Sequence, residues 1–180
     1  TGADCRVIPN QNTLCVATYQ GDPAPNFMAL EASVVLVGPA GERTMPLTEF
    51  FELDGMKKNV LMPGEFLLRV ELPEAASTRV GAYQKLRVRE SWDFPEAGVA
   101  ASWVPGDIDS LRVASTALES IPKLHEAEVS AHLEANDRTV DVKGLAQAVQ
   151  KSVKPVNNTA LPPAYRRKMV RVLTKRALNA

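Results

Sequence analysis

The sequence predicts an α+β fold, with antiparallel strands first and most of the helices after them. Short β-branched or alternating runs, bounded by proline and glycine, recur between residues 33 and 118. Helical patterns of apolar residues gather after residue 125 instead. A length of 180 residues suffices for one substantial core or for two small domains.

The first predicted elements are a short helix and a hairpin. Asp22–Glu31 predicts the helix, because its first residue can cap it and prolines occupy its first turn. Ser33–Val37 is a β-branched strand, and the turn Gly38–Gly41 leads into a second strand at Thr44–Leu47. A short helical turn is predicted at Thr48–Phe51.

A third strand is predicted at Glu65–Leu72, where apolar and polar residues alternate. The alternation is typical of a half-buried strand, whose inner face would carry Phe66, Leu68, Val70 and Leu72. The following residues, Pro73–Gly81, contain proline, alanine, serine and threonine, so we expect a subdomain boundary there. We therefore divide the chain into residues 1–76 and 77–180.

The second part is predicted to be a small sheet covered by helices. Gly98–Val104 and Leu111–Leu118 are strands joined by a turn, and His125–Ala135 and Leu145–Val153 are helices. The last helix is predicted from Pro162 to Ala177. Lysines and arginines cover much of this helix, and its apolar face carries Tyr165, Met169, Val172 and Leu173.

Composition excludes several classes of function. The formal net charge is zero, so no overall attraction draws the chain to nucleic acid or to an anionic membrane. We expect no membrane span, because no apolar run approaches about 18 residues. The basic last helix lacks stacking aromatics around it, which favours a solvated helix or a subunit contact over a nucleic-acid interface.

The start of the chain and its cysteines bear on where the protein works. Thr1–Cys5 has neither the charged nor the apolar segment of a signal peptide, and it lacks an initiator methionine. We therefore expect a processed protein or part of a longer one. Two cysteines do not make a disulfide framework in a chain of this size, which favours a reducing, cytoplasmic location.

Several chemically interesting residues have a simple structural interpretation. Asp22 can serve as a helix cap, and Lys85 can be an exposed strand residue. Nine residues separate Cys5 from Cys15, and both can be free structural thiols. His125 and His132 are expected to be surface histidines, because nothing beside them completes a metal site. No catalytic acid, base or nucleophile is predicted.

Five ordered segments carry a resemblance that covers nearly the whole chain. They are Cys15-Val16-Ala17 with Gly21-Asp22; Val35-x-Val37-Gly38-Pro39-x-Gly41-x-Arg43; Pro63-Gly64-Glu65 with its strand; Tyr83-x-Lys85-x-x-x-Arg89 with Asp93-Phe94-Pro95; and Pro155–Thr159 with Tyr165-Arg166-Arg167-x-Met169. The set resembles the FAD-binding subunit of the xanthine dehydrogenase (molybdenum hydroxylase) family. Within that family it is most similar to the middle subunit of 4-hydroxybenzoyl-CoA reductase.

By this resemblance, residues 1–76 form a second FAD-binding subdomain that is incomplete at its N-terminal side. Residues 77–180 form a C-terminal domain like that of carbon monoxide dehydrogenase flavoproteins. Asp22 would accept hydrogen bonds near the ribose or ring of FAD, and Leu67 would border the flavin. Lys85 would lie near the flavin ring, where a positive charge favours the anionic reduced form.

The resemblance also offers a second interpretation of the cysteines. The 4-hydroxybenzoyl-CoA reductase-like subunits carry an extra [4Fe–4S] cluster, and Cys5 and Cys15 stand where its last two ligands would be, with one additional residue between them. Such a cluster needs four ligands, normally cysteines. The chain has only two, so either the other two lie upstream or the cluster has been lost.

The function that the resemblance implies is that of an oxidoreductase subunit, which passes electrons between FAD and iron–sulfur centres. Its partners would be a [2Fe–2S] iron–sulfur subunit and a subunit that carries the molybdenum cofactor. The family holds the FAD pyrophosphate on two glycine-rich loops that this sequence lacks, so this segment alone is expected to bind FAD poorly. The alternative is a non-enzymatic interaction module that keeps the fold without the flavin.

Overall fold

A computed structural model describes residues 5–90 and 92–180. The expectations about Thr1–Asp4 and about Ser91 lie outside these residues. The elements are, in chain order, α1 (Pro23–Ala29), β1 (Ser33–Gly38), β2 (Gly41–Pro46), β3 (Phe66–Glu71), β4 (Val80–Leu86), β5 (Ala97–Val104), β6 (Asp107–Thr116), β7 (Lys123–Leu124), α2 (Glu126–Ala135), α3 (Val142–Ser152) and α4 (Pro163–Leu178). Single 3-10 turns lie at Leu47–Glu49 and Glu74–Thr78. The predicted α+β class is confirmed.

The first sheet has the antiparallel order β2-β1-β3. β1 and β2 form the predicted hairpin, and Gly41 takes a φ of 105° in its turn, a value that side chains disfavour. The β-branched centre of β1 is buried and packs with Met28 of α1 and with Phe50. Ala114 of β6 belongs to the same core, and α1, which contacts β5, β6 and β7, connects this core to the second sheet.

β3 forms where the alternation predicted it, but its burial differs from the prediction. Phe66 and Leu68 are 57% and 43% exposed, and only Val70 packs against the core. β3 pairs with β1 along one side and, within the described residues, with no strand along the other. The alternation correctly predicts a strand, whereas burial also needs a covering layer that these residues do not supply.

The second sheet has the antiparallel order β4-β5-β6-β7. β5 is buried from Ala97 to Ser102, because both of its faces are covered. Val99 and Ala101 pack on the helical side, in a core with residues of α2, α3 and α4. On the opposite side, the Ser102 hydroxyl donates a hydrogen bond of 2.5 Å to the carbonyl of Ala29 in α1.

The predicted apolar face of α4 coincides with the fully buried face at Leu173 but not at its other positions. Tyr165 is 44% exposed, whereas the buried positions are Arg166, Val170, Leu173, Thr174 and Ala177. Arg166 is fully buried because its guanidinium has partners there: it donates to the carbonyls of Glu96 and Val156, both at 2.9 Å, and to that of Ala117. The Glu96 carboxylate lies 3.8 Å away and balances its charge.

The prediction that His125 lies at the surface is wrong. The imidazole is completely buried at the start of α2, with Nε2 at 2.8 Å from the Ser115 hydroxyl and Nδ1 at 3.0 Å from the Ser152 hydroxyl. These hydroxyls come from β6 and α3, which are distant in sequence. His132 is half-buried, and its Nε2 accepts a hydrogen bond from the Asp141 amide.

Membrane insertion of a helix has no support in the fold. In the two described ranges, no helix combines the length and the apolar character that crossing a bilayer requires.

Candidate functional site

The candidate site is centred on Asp22, at the entrance to α1. Asp22 occupies the N-cap position, as predicted, but its side chain makes no capping hydrogen bond. One carboxylate oxygen instead accepts a hydrogen bond of 2.7 Å from the Tyr83 hydroxyl, and the other accepts one of 2.8 Å from the Lys85 ammonium group. The carboxylate therefore links the loop before α1 to β4.

The β-structure explains why these groups meet. Tyr83 and Lys85 are two residues apart on β4, so their side chains leave the strand on the same face. Lys85 pairs with Gly98 of β5 in the register of the sheet. A side chain at Gly98 would contact the Tyr83 hydroxyl and approach the Thr116 methyl group at 2.8 Å, so glycine leaves the space that the tyrosine needs.

The loop that carries Asp22 is held from its other side. Thr116 of β6 donates a hydrogen bond of 3.0 Å to the carbonyl of Gly21. Tyr19 exchanges backbone hydrogen bonds of 3.0 Å with Glu119 and Ala117. Gln20 donates from its side chain to the carbonyl of Pro95 at 3.0 Å. The position of Asp22 is thus fixed by three neighbouring residues and does not depend on a cap.

The electrostatics of the site keep Tyr83 protonated. Burial raises the pKa of Tyr83 most, and the hydrogen bond and negative charge of Asp22 raise it further. Burial and the charge of Asp22 also raise the pKa of Tyr19. Tyr83 therefore acts as a hydrogen-bond donor, and the cluster combines one carboxylate, one ammonium group and neutral phenols.

The site reaches the surface through its acidic member. The Asp22 side chain is 40% exposed, whereas that of Lys85 is 19% exposed. A bound molecule could donate hydrogen bonds to the free lone pairs of the carboxylate and lie close to the ammonium charge. Leu67 lies on β3 of the other sheet and is 38% exposed. The structure thus brings Asp22 and Lys85 together and leaves Leu67 apart, available at the surface.

Tyr83 was not among the predicted site residues, although its spacing from Lys85 carries a signal. Residues 83 and 85 follow the period of two that places side chains on one face of a strand. A hydroxyl and a cation on that face can share one acidic partner. The identity of the partner was hidden, because Asp22 is 61 residues away in sequence from Tyr83.

The segment after β4 ends beside a carboxylate of its own. Asp93 accepts backbone hydrogen bonds from Val88 at 3.1 Å and Arg89 at 2.7 Å, and its other oxygen accepts one of 2.9 Å from the Arg89 guanidinium. These contacts lower the pKa of Asp93 to about 2. β4 ends at Leu86, so the end of this strand is followed by a carboxylate that two main-chain amides and one guanidinium hold in place.

The two cysteines lie on one cavity. It has a volume of about 550 Å³, and both Cys5 and Cys15 line it with Asp54 and Met56 among other residues. Both thiols are free and half-buried. The Cys5 sulfur accepts a long hydrogen bond of 3.4 Å from the Ile8 amide, and the Cys15 amide donates to the Asp54 carboxylate at 3.0 Å.

The cavity is lined by two cysteines, whereas a [4Fe–4S] cluster needs four cysteine ligands. Among the residues the structure describes, no group of three or more histidine, cysteine, aspartate or glutamate side chains could hold a metal ion. The donor set in this chain is therefore incomplete for the cluster. His125 is engaged with serine hydroxyls and is buried in the core, so it is not available as a further ligand.

Comparison with known families agrees with the architecture. Residues 13–75 match the family described as the FAD binding domain in molybdopterin dehydrogenase. That stretch holds Asp22, the first sheet and Leu67, whereas Tyr83 and Lys85 follow it.

Two curated relatives align with nearly the whole chain. Over 179 residues the chain is 29% identical to the carbon monoxide dehydrogenase medium chain of Hydrogenophaga pseudoflava, which covers 96% of this chain and 61% of that protein. It is 27% identical to the glyceraldehyde dehydrogenase medium chain of Sulfolobus acidocaldarius, with 62% of that protein covered. The chain thus spans about three fifths of the length of these relatives.

Solved structures show the same fold. A carbon monoxide dehydrogenase from Hydrogenophaga pseudoflava that lacks the Mo-pyranopterin moiety of its cofactor superposes with a TM-score of 0.78 at 28% identity, over 89% of this chain and 55% of that one. Quinoline 2-oxidoreductase from Pseudomonas putida 86 gives a TM-score of 0.72 at 19% identity, over 91% and 56% of the two chains, which is a likeness of fold alone.

Proposed function

We propose that this chain is part of a FAD-binding medium subunit like those of the molybdenum hydroxylases, and that its parent protein holds FAD and transfers electrons. The flavin exchanges these electrons with iron–sulfur centres of a partner subunit. A third subunit, with the molybdenum cofactor, performs the substrate chemistry. The parent protein is in this proposal an oxidoreductase component with no catalytic acid or base of its own.

The observation that carries this proposal is the Asp22–Lys85 pair. A surface ion pair usually contributes little to stability, yet here a tyrosine, a glycine and a threonine are arranged around it. Such an arrangement is typical of a site that positions a polar ligand. Asp22 lies inside the matched FAD-binding segment, and Lys85 lies just beyond it.

The roles of the residues follow from their chemistry. FAD, when bound, supplies the capacity to accept and release electrons. Asp22 can accept hydrogen bonds from ligand hydroxyls, and Lys85 favours a negative charge on a bound ring. Tyr83 donates to one oxygen of Asp22 and Lys85 donates to the other, and together these two bonds fix the orientation of the carboxylate. Leu67 offers an exposed apolar surface on β3 against which a ring could rest.

The finer proposal is a relationship to 4-hydroxybenzoyl-CoA reductase. Its support is the cavity that brings Cys5 and Cys15 together. In this proposal both thiolates bind an additional [4Fe–4S] cluster, and two further cysteines come from another part of the protein. Electrons then run from an external donor toward the molybdenum subunit and reduce an aromatic acyl-CoA. Free thiols fit the reducing cytoplasm, where we place the protein.

The decisive experiment is an absorption spectrum of the protein purified with its complex from its source, followed by release of the flavin with acid and its identification. We expect releasable FAD and residual iron–sulfur absorbance in the copurifying chains. A colourless preparation without copurifying subunits would contradict the proposal.

A colourless preparation would favour the alternative function, a non-enzymatic interaction module. The observation that supports this alternative is that the described residues contain no glycine-rich phosphate loop. Gly38 and Gly41 belong to the β1–β2 hairpin instead, and Gly41 faces open space. Iron and sulfide analysis of the same sample would test the extra cluster, since the chain can contribute only two thiolates to it.

A further inference from the structure

Charge is strongly segregated along this chain. Residues 142–180 contain nine lysines and arginines and no aspartate or glutamate. Residues 1–141 contain 12 basic and 21 acidic residues, so the neutral total hides two opposite regions. The basic region corresponds to α3, α4 and the segment between them.

The two helices place this charge around a cleft. α3 and α4 pack against each other and enclose a cleft of about 330 Å³, which is lined by Gln147, Gln150, Lys151, Arg167 and Arg171. Arg167 is fixed at its edge, since it donates to the carbonyls of Gln150 at 3.1 Å and Lys151 at 3.0 Å. These contacts use two of its five N–H groups, which leaves three for another acceptor.

Within the described residues, the buried Arg166 is the one cation of α4 that lies within ion-pair distance of a carboxylate, that of Glu96. In the described part of the chain, no carboxylate forms an ion pair with Arg167, Arg171 or Lys175. These three residues are spaced at intervals of four and form one stripe along the helix, where like charges repel. By contrast, Arg43, Arg79 and Arg112 each pair with a glutamate.

We propose that the α3–α4 cleft is a docking site for a partner protein that presents several closely spaced carboxylates. An acidic segment would supply the missing counter-charge to the stripe and to Lys151. The two glutamines can exchange hydrogen bonds with the backbone of such a segment. This proposal rests on the basic helices and does not depend on whether the protein binds flavin.

The cleft fits an acidic protein better than a nucleic acid. None of the residues that line it is aromatic, so it offers no surface on which bases could stack. The acidic residues outside it also repel a long polyanion, whereas a short acidic segment can remain within the basic region.

The test measures the binding of fluorescein-labelled octaglutamate to the purified protein by fluorescence anisotropy. We expect binding that weakens clearly between about 50 mM and about 200 mM salt. The variant Lys151→Glu/Arg171→Glu reverses two cations that line the cleft. It should bind at least about tenfold more weakly, because two reversals change the local charge by four units.

Lys58→Glu/Arg87→Glu is the matched control, since both residues are exposed and lie outside the two helices. It makes the same change in net charge and should alter the affinity by less than about twofold. If the double reversal fails to fold, Arg171→Gln serves instead, because it keeps most of the side-chain stem. It should give a loss of affinity between those of the wild type and the double reversal.

Three outcomes would overturn the proposal. The first is an equal loss in the control, which would reduce the effect to net charge. The second is tighter binding of a single-stranded oligothymidylate with the same number of charges, which would indicate a nucleic-acid site. The third is no detectable binding of octaglutamate at the lower salt concentration.

Discussion

Single side chains decide the electrostatics of this protein, and Lys85 is the clearest case. Its ammonium group lies 2.8 Å from the Asp22 carboxylate and is largely buried, so its charge is weakly screened. Replacing it with methionine keeps the apolar stem and removes the charge. Among the described residues, Asp22 then keeps one side-chain donor, Tyr83.

We predict that Lys85→Met makes the two-electron reduction potential of bound FAD more negative by about 20–40 mV, the equivalent of about 1–2 kcal/mol. The reason is that a positive charge near the ring stabilises its reduced, negatively charged form. Redox titration of the purified complex measures the potential. Lys58→Met should leave the potential unchanged, and an equal shift in both variants would contradict the role of Lys85.

His125 gives the fold a dependence on pH. Burial lowers the pKa of His125 below its ordinary value of 6.5, although Glu128 opposes this shift. As the pH falls to about 6.5, His125 therefore takes up a proton in the unfolded chain, whereas it stays neutral in the folded protein. The contribution of His125 to stability is complete above pH 6.5 and is lost as the pH falls below it.

We predict that the free energy of unfolding falls more steeply for the wild type than for His125→Gln between about pH 7.5 and about pH 5. Urea unfolding of both proteins at each pH gives the comparison, in which titrating groups away from His125 cancel; Glu128 does not, because its contact with His125 lowers its pKa. Parallel pH profiles would show that His125 titrates in the folded protein as it does in the unfolded chain.

Strand β5 supports the candidate site because it has no side chain at Gly98. Gly98 lies between Lys85 of β4 and Thr116 of β6, and Tyr83 fills the space above it. Alanine at this position would force the Tyr83 hydroxyl away from Asp22. The Tyr83 hydroxyl is the atom nearest to the added methyl group, so removing this hydroxyl should relieve most of the clash.

We predict that Gly98→Ala destabilises the protein by about 1–3 kcal/mol, as overpacking does. The loss should be smaller when Tyr83→Phe is already present, because the hydroxyl is the closest obstacle. A double-mutant cycle in urea measures this coupling. Additive effects of the two substitutions would place the strain elsewhere.

The helices and strands were largely predictable from local patterns, but the environment of several side chains was not. The β1–β2 hairpin, the turn at Gly106 and the position of α4 follow from turn residues and periodicity. Arg166 and His125 were expected at the surface, because a charged or polar side chain is buried only where hydrogen-bond or ion-pair partners are present. Those partners are carbonyls and hydroxyls on distant elements, which no local pattern reveals.

Across the whole molecule, the two parts of the chain are closely interlocked. We propose that the boundary near residue 76 separates two units that fold together. Glu31, just after α1, forms ion pairs with Arg79 at 2.6 Å and Arg112 at 3.0 Å in the second part. Ala114 of β6 also lies in the core of the first part.

We predict that amide hydrogen exchange gives β1 and β5 the same free energy of opening, within about 1 kcal/mol, because neither unit keeps its core when the other unfolds. Exchange measured by mass spectrometry under conditions in which opening is reversible tests this. A markedly lower value for β1 would indicate that residues 1–76 unfold independently.

The candidate site shows the same limit of local reasoning. Asp22 and Lys85 were identified through the resemblance, and the contact between them joins residues that are 63 positions apart in the sequence. Tyr83 had a visible strand period but no visible partner. The roles of these residues toward a cofactor remain predictions, which the redox titration addresses.

The uncovered side of β3 has a practical consequence for handling this polypeptide. A strand with unpaired amides and carbonyls along one side can recruit the same strand from another molecule. The exposed side chains of Phe66 and Leu68 on β3, and of Leu72 just after it, add apolar surface to the faces of this strand. Recombinant production of these 180 residues alone should therefore favour inclusion bodies and turbid concentrates, and a charged substitution such as Leu68→Lys should increase the yield of clear, monodisperse material.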